Sequence, residues 1–263
     1  MQIYTHTLPG GAQLIGYLRD RTVEMPAFNT RPAILILPGG GYAWCSKREA
    51  DPVAMQFLQA GYNVFTLYYT CRSDETVPTL RWQPLIDAAG AILHIRRNAE
   101  QFGTDPAKIA ICGFSAGGHL ALSGAVLDIP GETAQQRPNA VILGYPVVTA
   151  GEFAHRGSFV RLAGSEDAAA QQVFTLEDKV NADTPPVFVW HTMEDKTVPV
   201  ENTLLLLAAL RRAGVPCEAH LFEKGAHGTS ISTAEVDAAD PHRAHWVALC
   251  LEWLGETFGF KLS

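Results

Sequence analysis

Ser115 is the residue of this chain best placed to act as a nucleophile. It lies within Gly113-Phe114-Ser115-Ala116-Gly117, after a short apolar run, Ile109 to Cys112, and before a helix-forming segment, His119 to Val126. A G-x-S-x-G between a strand and a helix makes a sharp turn that only tiny flanking residues permit, and it pushes the serine Oγ out above the sheet edge. The start of the following helix supplies backbone N–H groups suited to an oxyanion. The plainer reading of Ser115, a small residue in a tight turn, leaves this setting unexplained.

Serine is a poor nucleophile at neutral pH and needs a base, and the base needs a group that fixes its tautomer. The chain supplies both, in the order Ser, acid, His. Asp195 falls in His191-Thr192-Met193-Glu194-Asp195-Lys196, directly after an apolar strand pattern, and His227 falls in Lys224-Gly225-Ala226-His227-Gly228, directly after the next one. Loops that follow parallel strands share one sheet edge, where open α/β sheets place their sites. Asp195 also suits a plain helix N-terminal acid. Adjacent Glu194 competes for its role, but its side chain is expected to point the other way. His227 competes with the reading of an ordinary loop histidine. His119 is read as structural, and His191, His220, His242 and His245 lack a matching context. No histidine pair has metal-ligand spacing, so no metal and no cofactor are expected.

An oxyanion needs two N–H donors from different loops. Ala116, which follows the serine, is one. The run Gly39-Gly40-Gly41-Tyr42 is the source of the other, because glycine lets the backbone curl close to an ester. No G-x-G-x-x-G or G-K-[ST] accompanies it, so the nucleotide readings fail. Tyr42 and Trp44 are candidates to line the substrate cleft, with Tyr69, Trp82 and Trp190 as further aromatics, although core packing suits any one of them.

These residues need a frame. Ala33 to Leu37 reads as a strand buried on both faces. Ser46-Lys47-Arg48-Glu49 matches a capping box, which assigns Arg48 and Glu49 to a solvent-facing helix start running to about Gln59. Further strand patterns cover Tyr62 to Tyr69, Ile109 to Cys112, Ala140 to Tyr145, Val187 to His191 and Cys217 to Phe222. Helical patterns cover Leu85 to Phe102, Val200 to Arg212 and Pro241 to Phe258. Gln2 to Leu18 is expected to form an antiparallel hairpin. This alternation implies right-handed βαβ units and a mostly parallel sheet. Residues 148–184 have the least regular pattern and read as a small insertion beside the site, within one α/β domain spanning 1–263.

The 263 residues are 47% hydrophobic and 18% charged, enough for a large core. A net charge of −7 argues against nucleic acid or an anionic membrane as the main partner. The N-terminus shows no signal-peptide pattern, and the apolar run Leu204 to Leu210 is too short to span a bilayer. Five scattered cysteines without a C-x-x-C pair suit reduced thiols in a cytoplasmic protein.

The ordered set Leu37-Pro38-Gly39-Gly40-Gly41-Tyr42, Gly113 to Ala121, Gly144-Tyr145-Pro146, Asp195 with Val198-Pro199, and His227-Gly228 resembles the small serine esterases of the α/β-hydrolase superfamily. These include hormone-sensitive-lipase-like carboxylesterases and bacterial acetyl xylan and feruloyl esterases. The resemblance implies an eight-stranded, mostly parallel sheet with helices on both faces, an acyl-enzyme mechanism, and Gly40, Gly41 and Ala116 as oxyanion donors. Pro38 stands where the hormone-sensitive-lipase pattern has His, and the chain has no room for that branch's N-terminal cap. Both departures point toward the carbohydrate-esterase relatives. The expected function is therefore hydrolysis of short-chain, chiefly acetyl, carboxylic esters on a small molecule or oligosaccharide. A prolyl-oligopeptidase-type peptidase and a ligand-binding protein on a hydrolase fold are the alternatives.

Overall fold

A computed structural model describes residues 1–74, 76, 78–128 and 133–262. Eight strands form one sheet: β1 (Gln2–Thr7), β2 (Gln13–Leu18), β3 (Arg31–Leu37), β4 (Asn63–Tyr68), β5 (Thr104–Phe114), β6 (Ala140–Gly144), β7 (Val187–Thr192) and β8 (Cys217–Phe222). The helices are α1 (Asp51–Gln59), α2 (Gln83–Arg97), α3 (Ala99–Phe102), α4 (Ala116–Val126), α5 (Arg156–Ala163), α6 (Ala168–Gln172), α7 (Glu201–Ala213), α8 (Pro241–Ala244) and α9 (Trp246–Phe258).

The strand order is β1-β2-β4-β3-β5-β6-β7-β8. The expected hairpin, β1 with β2, joins antiparallel to β4, and every later pairing is parallel. The chain winds from β3 outward to β4, then returns to the other side of β3 to make β5. That reversal opens a crevice between the loops after β3 and β5, the place where open α/β sheets bind ligands.

The apolar strands show why the sheet is covered twice. In β3 every residue is buried, and alternate side chains enter different cores. Leu35 and Leu37 join Ile111, Leu143 and Val189 under α2, α4 and α7, through Ile92, Leu120 and Leu206. Ile34 and Ile36 join Cys112, Ile142 and Phe188 under α1 and α9, through Phe57, Trp246 and Leu254. Among the described residues no helix is long and apolar enough to cross a membrane.

Three local expectations are corrected. The helix expected over Leu85 to Phe102 breaks at Asn98, whose side-chain amide caps His94 O at 2.8 Å before α3 restarts. The final helix breaks at His245, which closes α8 and begins α9. The capping box does not form. Ser46 makes no side-chain cap, Lys47–Glu49 is a single 3-10 turn, and α1 starts at Asp51 with Pro52 in its first turn. Glu49 instead turns inward and is buried, because two interior donors need its oxygens.

Candidate active site

Ser115 sits between β5 and α4 at φ 53°, ψ −120°, a strained conformation for a residue with a Cβ. The neighbours hold it there. Its N–H donates to Gly144 O at 3.0 Å, and its own carbonyl accepts from Val147 and His119. A Cβ at Gly117 would strike the carbonyls of Leu37 and Pro38, so only glycine lets α4 start this close to β3.

The loops after β5, β7 and β8 bring the three sequence-predicted residues together. His227 Nε2 lies 2.8 Å from Ser115 Oγ, and His227 Nδ1 lies 2.6 Å from Asp195 Oδ2. A carboxylate only accepts, so Nδ1 carries the proton and Nε2 is left to take one from the serine. Asp195 Oδ1 accepts the N–H groups of Thr197 and Val198, each at 2.9 Å. Oδ2 also accepts from His191 Nε2 at 3.2 Å. Burial pushes the Asp195 carboxyl up, but the hydrogen bonds from His191 and His227, the charge of His227 and the Val198 amide outweigh it. The group is held well below the usual carboxylate range. Glu194 points elsewhere, with Oε2 3.2 Å from the Gly225 amide.

His191 went unrecognised in the sequence. It is fully buried at the end of β7, and its Nε2 also faces Val198 O at 3.0 Å. A carbonyl only accepts, so this nitrogen carries a proton, while Nδ1 lies 2.8 Å from the Thr203 hydroxyl. The available signal was its position four residues before Asp195 on a buried strand end.

Glu49 is the second residue missed. Its Oε2 accepts the Gly39 N–H at 2.7 Å and its Oε1 accepts the Tyr145 hydroxyl at 2.6 Å. Tyr145 in turn accepts from Ser230 N at 3.0 Å, and its ring meets the His227 ring edge-on at 4.9 Å. The carboxyl thus ties the loops after β3, β6 and β8 to one point. Burial raises its pKa, with the Tyr145 and Gly39 hydrogen bonds opposing.

The glycine run after β3 faces Ser115. Gly39 packs so closely on Phe114 O and Ser115 that a Cβ there would come within 2.7 Å and 3.0 Å of them. Gly40 has φ 128° and Gly41 φ 62°. The Gly39 N–H is taken by Glu49, whereas those of Gly40, Gly41 and Ala116 meet no acceptor among the described residues. Gly40, Gly41, Trp44, Arg48, Ser115 and His227 line a cavity of about 320 Å³. Trp44 stands at its mouth, 63% exposed. Tyr42 does not line it, which corrects the expectation that it touches substrate. A positive φ of 61° turns its ring into the core, where its hydroxyl meets His119 Nδ1 at 2.8 Å. His119 is buried, also contacts Phe174 O at 2.8 Å, and has its pKa lowered by burial to about 4. Tyr69 and Trp190 are core residues, and Trp82 packs on Phe174.

The segment 148–184 carries α5 and α6 and brings His155 and Arg161 to the cavity wall.

Comparison with known proteins adds to this geometry. The model of the prolyl oligopeptidase family matches residues 91–260, and the BD-FAE model matches residues 23–142. The chain is similar to endo-1,4-beta-xylanase B of Butyrivibrio fibrisolvens, at 38% identity over 84% of this chain and 35% of that protein. It is similar to acetylxylan esterase of Xylanibacter ruminicola, at 29% identity over 85% of this chain and 45% of that protein. It thus spans less than half the length of these two curated relatives. Among solved structures it is similar to an acetyl ester-xyloside bifunctional hydrolase from Caldicellulosiruptor lactoaceticus. That match has 34% identity and a TM-score of 0.82, over 97% of this chain and 90% of that one.

Proposed function

The chain belongs to the prolyl oligopeptidase family of α/β hydrolases, and on that footing we propose that it is a serine carboxylesterase that removes short acyl groups, acetyl first, from carbohydrates. The observation that carries the reading is the unbroken hydrogen-bond path from Ser115 Oγ through His227 to Asp195.

In this mechanism Ser115 Oγ bonds to the acyl carbon as its proton passes to His227 Nε2. Asp195 orients the ring and stabilises the imidazolium. The N–H groups of Gly40, Gly41 and Ala116 receive the oxyanion. Collapse breaks the bond to the alcohol, which leaves with the proton from Nε2. Water then gives a proton to Nε2 as it attacks the acyl carbon, and collapse breaks the acyl–Oγ bond, releasing the acid as the Nε2 proton returns to Ser115 Oγ. Trp44 offers a face to a sugar ring at the mouth.

The names of the similar proteins favour an ester over an amide: one is an acetylxylan esterase and another an acetyl ester-xyloside hydrolase. The prolyl oligopeptidase match keeps peptidase activity as the second reading. Five free cysteines support a cytoplasmic setting. Assay of acetylated xylo-oligosaccharides and p-nitrophenyl acetate beside a prolyl p-nitroanilide separates the two activities. Turnover of the anilide alone would overturn the esterase reading.

A further inference from the structure

The charge in the cleft runs against the charge of the chain. The protein carries 27 acidic against 20 basic residues. Yet the cavity around Ser115 is lined by Arg48, Arg161 and His155, and Glu49 is its single carboxylate among the described residues. Glu49 is 3% exposed and both its oxygens are engaged. Asp195 lies behind His227, with both oxygens engaged as well.

Arg48 reaches the cleft from an exposed position, whereas Arg161 is held by backbone carbonyls. Arg48 Nη2 lies 3.5 Å from where a Cβ would stand on Gly228, so this head group is beside the residue that follows His227. Arg161 Nη1 donates to Gly157 O at 3.0 Å and reaches Gly41 O at 3.4 Å, which pins the head group next to the glycine run. Neither arginine ion-pairs with a carboxylate among the described residues. The pinned guanidinium of Arg161 keeps its remaining N–H groups for another acceptor. Arg161 also lines a second cavity of about 420 Å³, which holds Arg72, Asp74 and Glu166. Burial, then the charges of His227 and Arg161, lower the pKa of His155, so the positive charge of the lining is that of the two guanidiniums.

A guanidinium is the side chain that best matches a carboxylate, through two parallel N–H donors. The leaving alcohol takes its proton from His227, so the alcohol portion of the ester lies on the side where Arg48 stands.

We infer that the cleft contains a carboxylate subsite in which Arg48 and Arg161 receive an acidic group on the alcohol portion of the ester, making esters of uronic-acid-bearing carbohydrates the preferred substrate class. This inference rests on the esterase reading for its catalytic consequence, but binding tests it separately.

The matched substrates are an acetylated methyl glucuronoside and the equally acetylated methyl glucoside, which differ by a carboxylate against a hydroxymethyl group. The wild-type kcat/KM favours the uronate about tenfold or more at low ionic strength. Esterifying the carboxylate with methanol removes the preference, and high salt shrinks it. Arg48→Gln and Arg161→Gln each lower the uronate-to-glucoside ratio severalfold; Arg48 is exposed, so its replacement does not put the fold at risk. Equal hydrolysis of both sugars by the wild type overturns the subsite and leaves the esterase reading intact. A preference for p-nitrophenyl hemisuccinate over the acetate, with none for the uronate, also overturns it, by putting the carboxylate on the acyl side. If no ester is hydrolysed, the esterase reading fails. Calorimetry on the Ser115→Ala protein then decides the subsite: tighter binding of methyl glucuronoside than of methyl glucoside supports it, and equal binding overturns it.

Discussion

His191 Nε2 lies 3.2 Å from Asp195 Oδ2, the same oxygen that receives His227 Nδ1. One carboxylate oxygen thus serves two imidazoles, one fully buried and one facing the serine. A second hydrogen-bond donor on the acid spreads its charge and weakens its pull on the His227 proton. His191→Phe removes that donor, so Asp195 stabilises the imidazolium more strongly. The acid limb of the kcat/KM profile should move to higher pH, and kcat should fall about tenfold or more as Asp195 loses its alignment. An unshifted acid limb, measured with p-nitrophenyl acetate, would reduce His191 to a packing residue.

Ser115→Ala removes only the oxygen that the mechanism requires. The rate should drop by about 10⁴-fold or more while the fold survives. Circular dichroism checks the fold, and a serine-directed phosphonate should label Ser115 in the unaltered protein.

Asp195 should matter far more than its neighbour. Asp195→Asn leaves His227 in the wrong tautomer and costs on the order of 10³- to 10⁴-fold in rate. Glu194→Gln touches only a contact to the Gly225 amide and should cost under about tenfold. Equal losses would reassign the acid.

The same carboxylate predicts a pH-dependent stability. Its native pKa is depressed by the His191 and His227 hydrogen bonds, which outweigh burial. A group shifted this way contributes stability that is fully present above its unfolded value of about 3.9 and is lost as pH falls below that. Asp195→Asn should therefore be less stable than the native protein at neutral pH, with the gap narrowing in acid below about pH 4. Urea titrations at the two pH values measure it; a gap that widens in acid contradicts the assignment.

Glu49→Ala leaves the Gly39 N–H and the Tyr145 hydroxyl without their acceptor. The expected cost is about 1–3 kcal/mol of stability for each buried orphan. Because Gly39 precedes Gly40 and Gly41, kcat should fall more than KM rises. A variant with native stability and kcat would show that the loop holds itself.

Acyl length tests the shape of the cavity. Trp44 is the one large apolar side chain among its lining residues. A long tail finds little to bury against, where each buried CH₂ otherwise contributes about 0.8 kcal/mol. Acetate and propionate esters should exceed octanoate in kcat/KM, and a maximum at eight carbons would mean that α5 and α6 form an acyl wall.

The strand and helix frame was legible because its apolar runs are continuous in β3, β6 and β7, and such runs fit only a doubly covered sheet. Ser115 and Asp195 could be placed on one edge because each follows an apolar strand run, and His227 because it follows the next strand pattern, Cys217 to Phe222, although that strand is only partly covered. Glu49 could not, since its direction is set by two donors that only the fold brings together, the Gly39 N–H and the Tyr145 hydroxyl 96 residues on. Its capping-box spacing with Ser46 fitted a solvent-facing cap equally well. Tyr42 misled for a related reason: adjacency to the glycine run suggested the cleft, but a positive φ reverses the side chain. The break at Asn98 comes where its side-chain amide joins its backbone N–H on His94 O, a local bond that periodicity does not register.

β8 is an edge strand of the sheet and is largely half-exposed, yet the loop that follows it carries His227. The serine and the acid follow β5 and β7, whose pairings are flanked on both sides. The residue that turns a hydroxyl into a nucleophile therefore hangs from the one edge strand of the three that carry the triad. Edge strands open at a lower free energy than interior ones. In rising denaturant or heat, activity should be extinguished by a local detachment of β8 while the helices and the inner strands remain intact, which makes turnover a more sensitive gauge of this one edge than of the molecule as a whole.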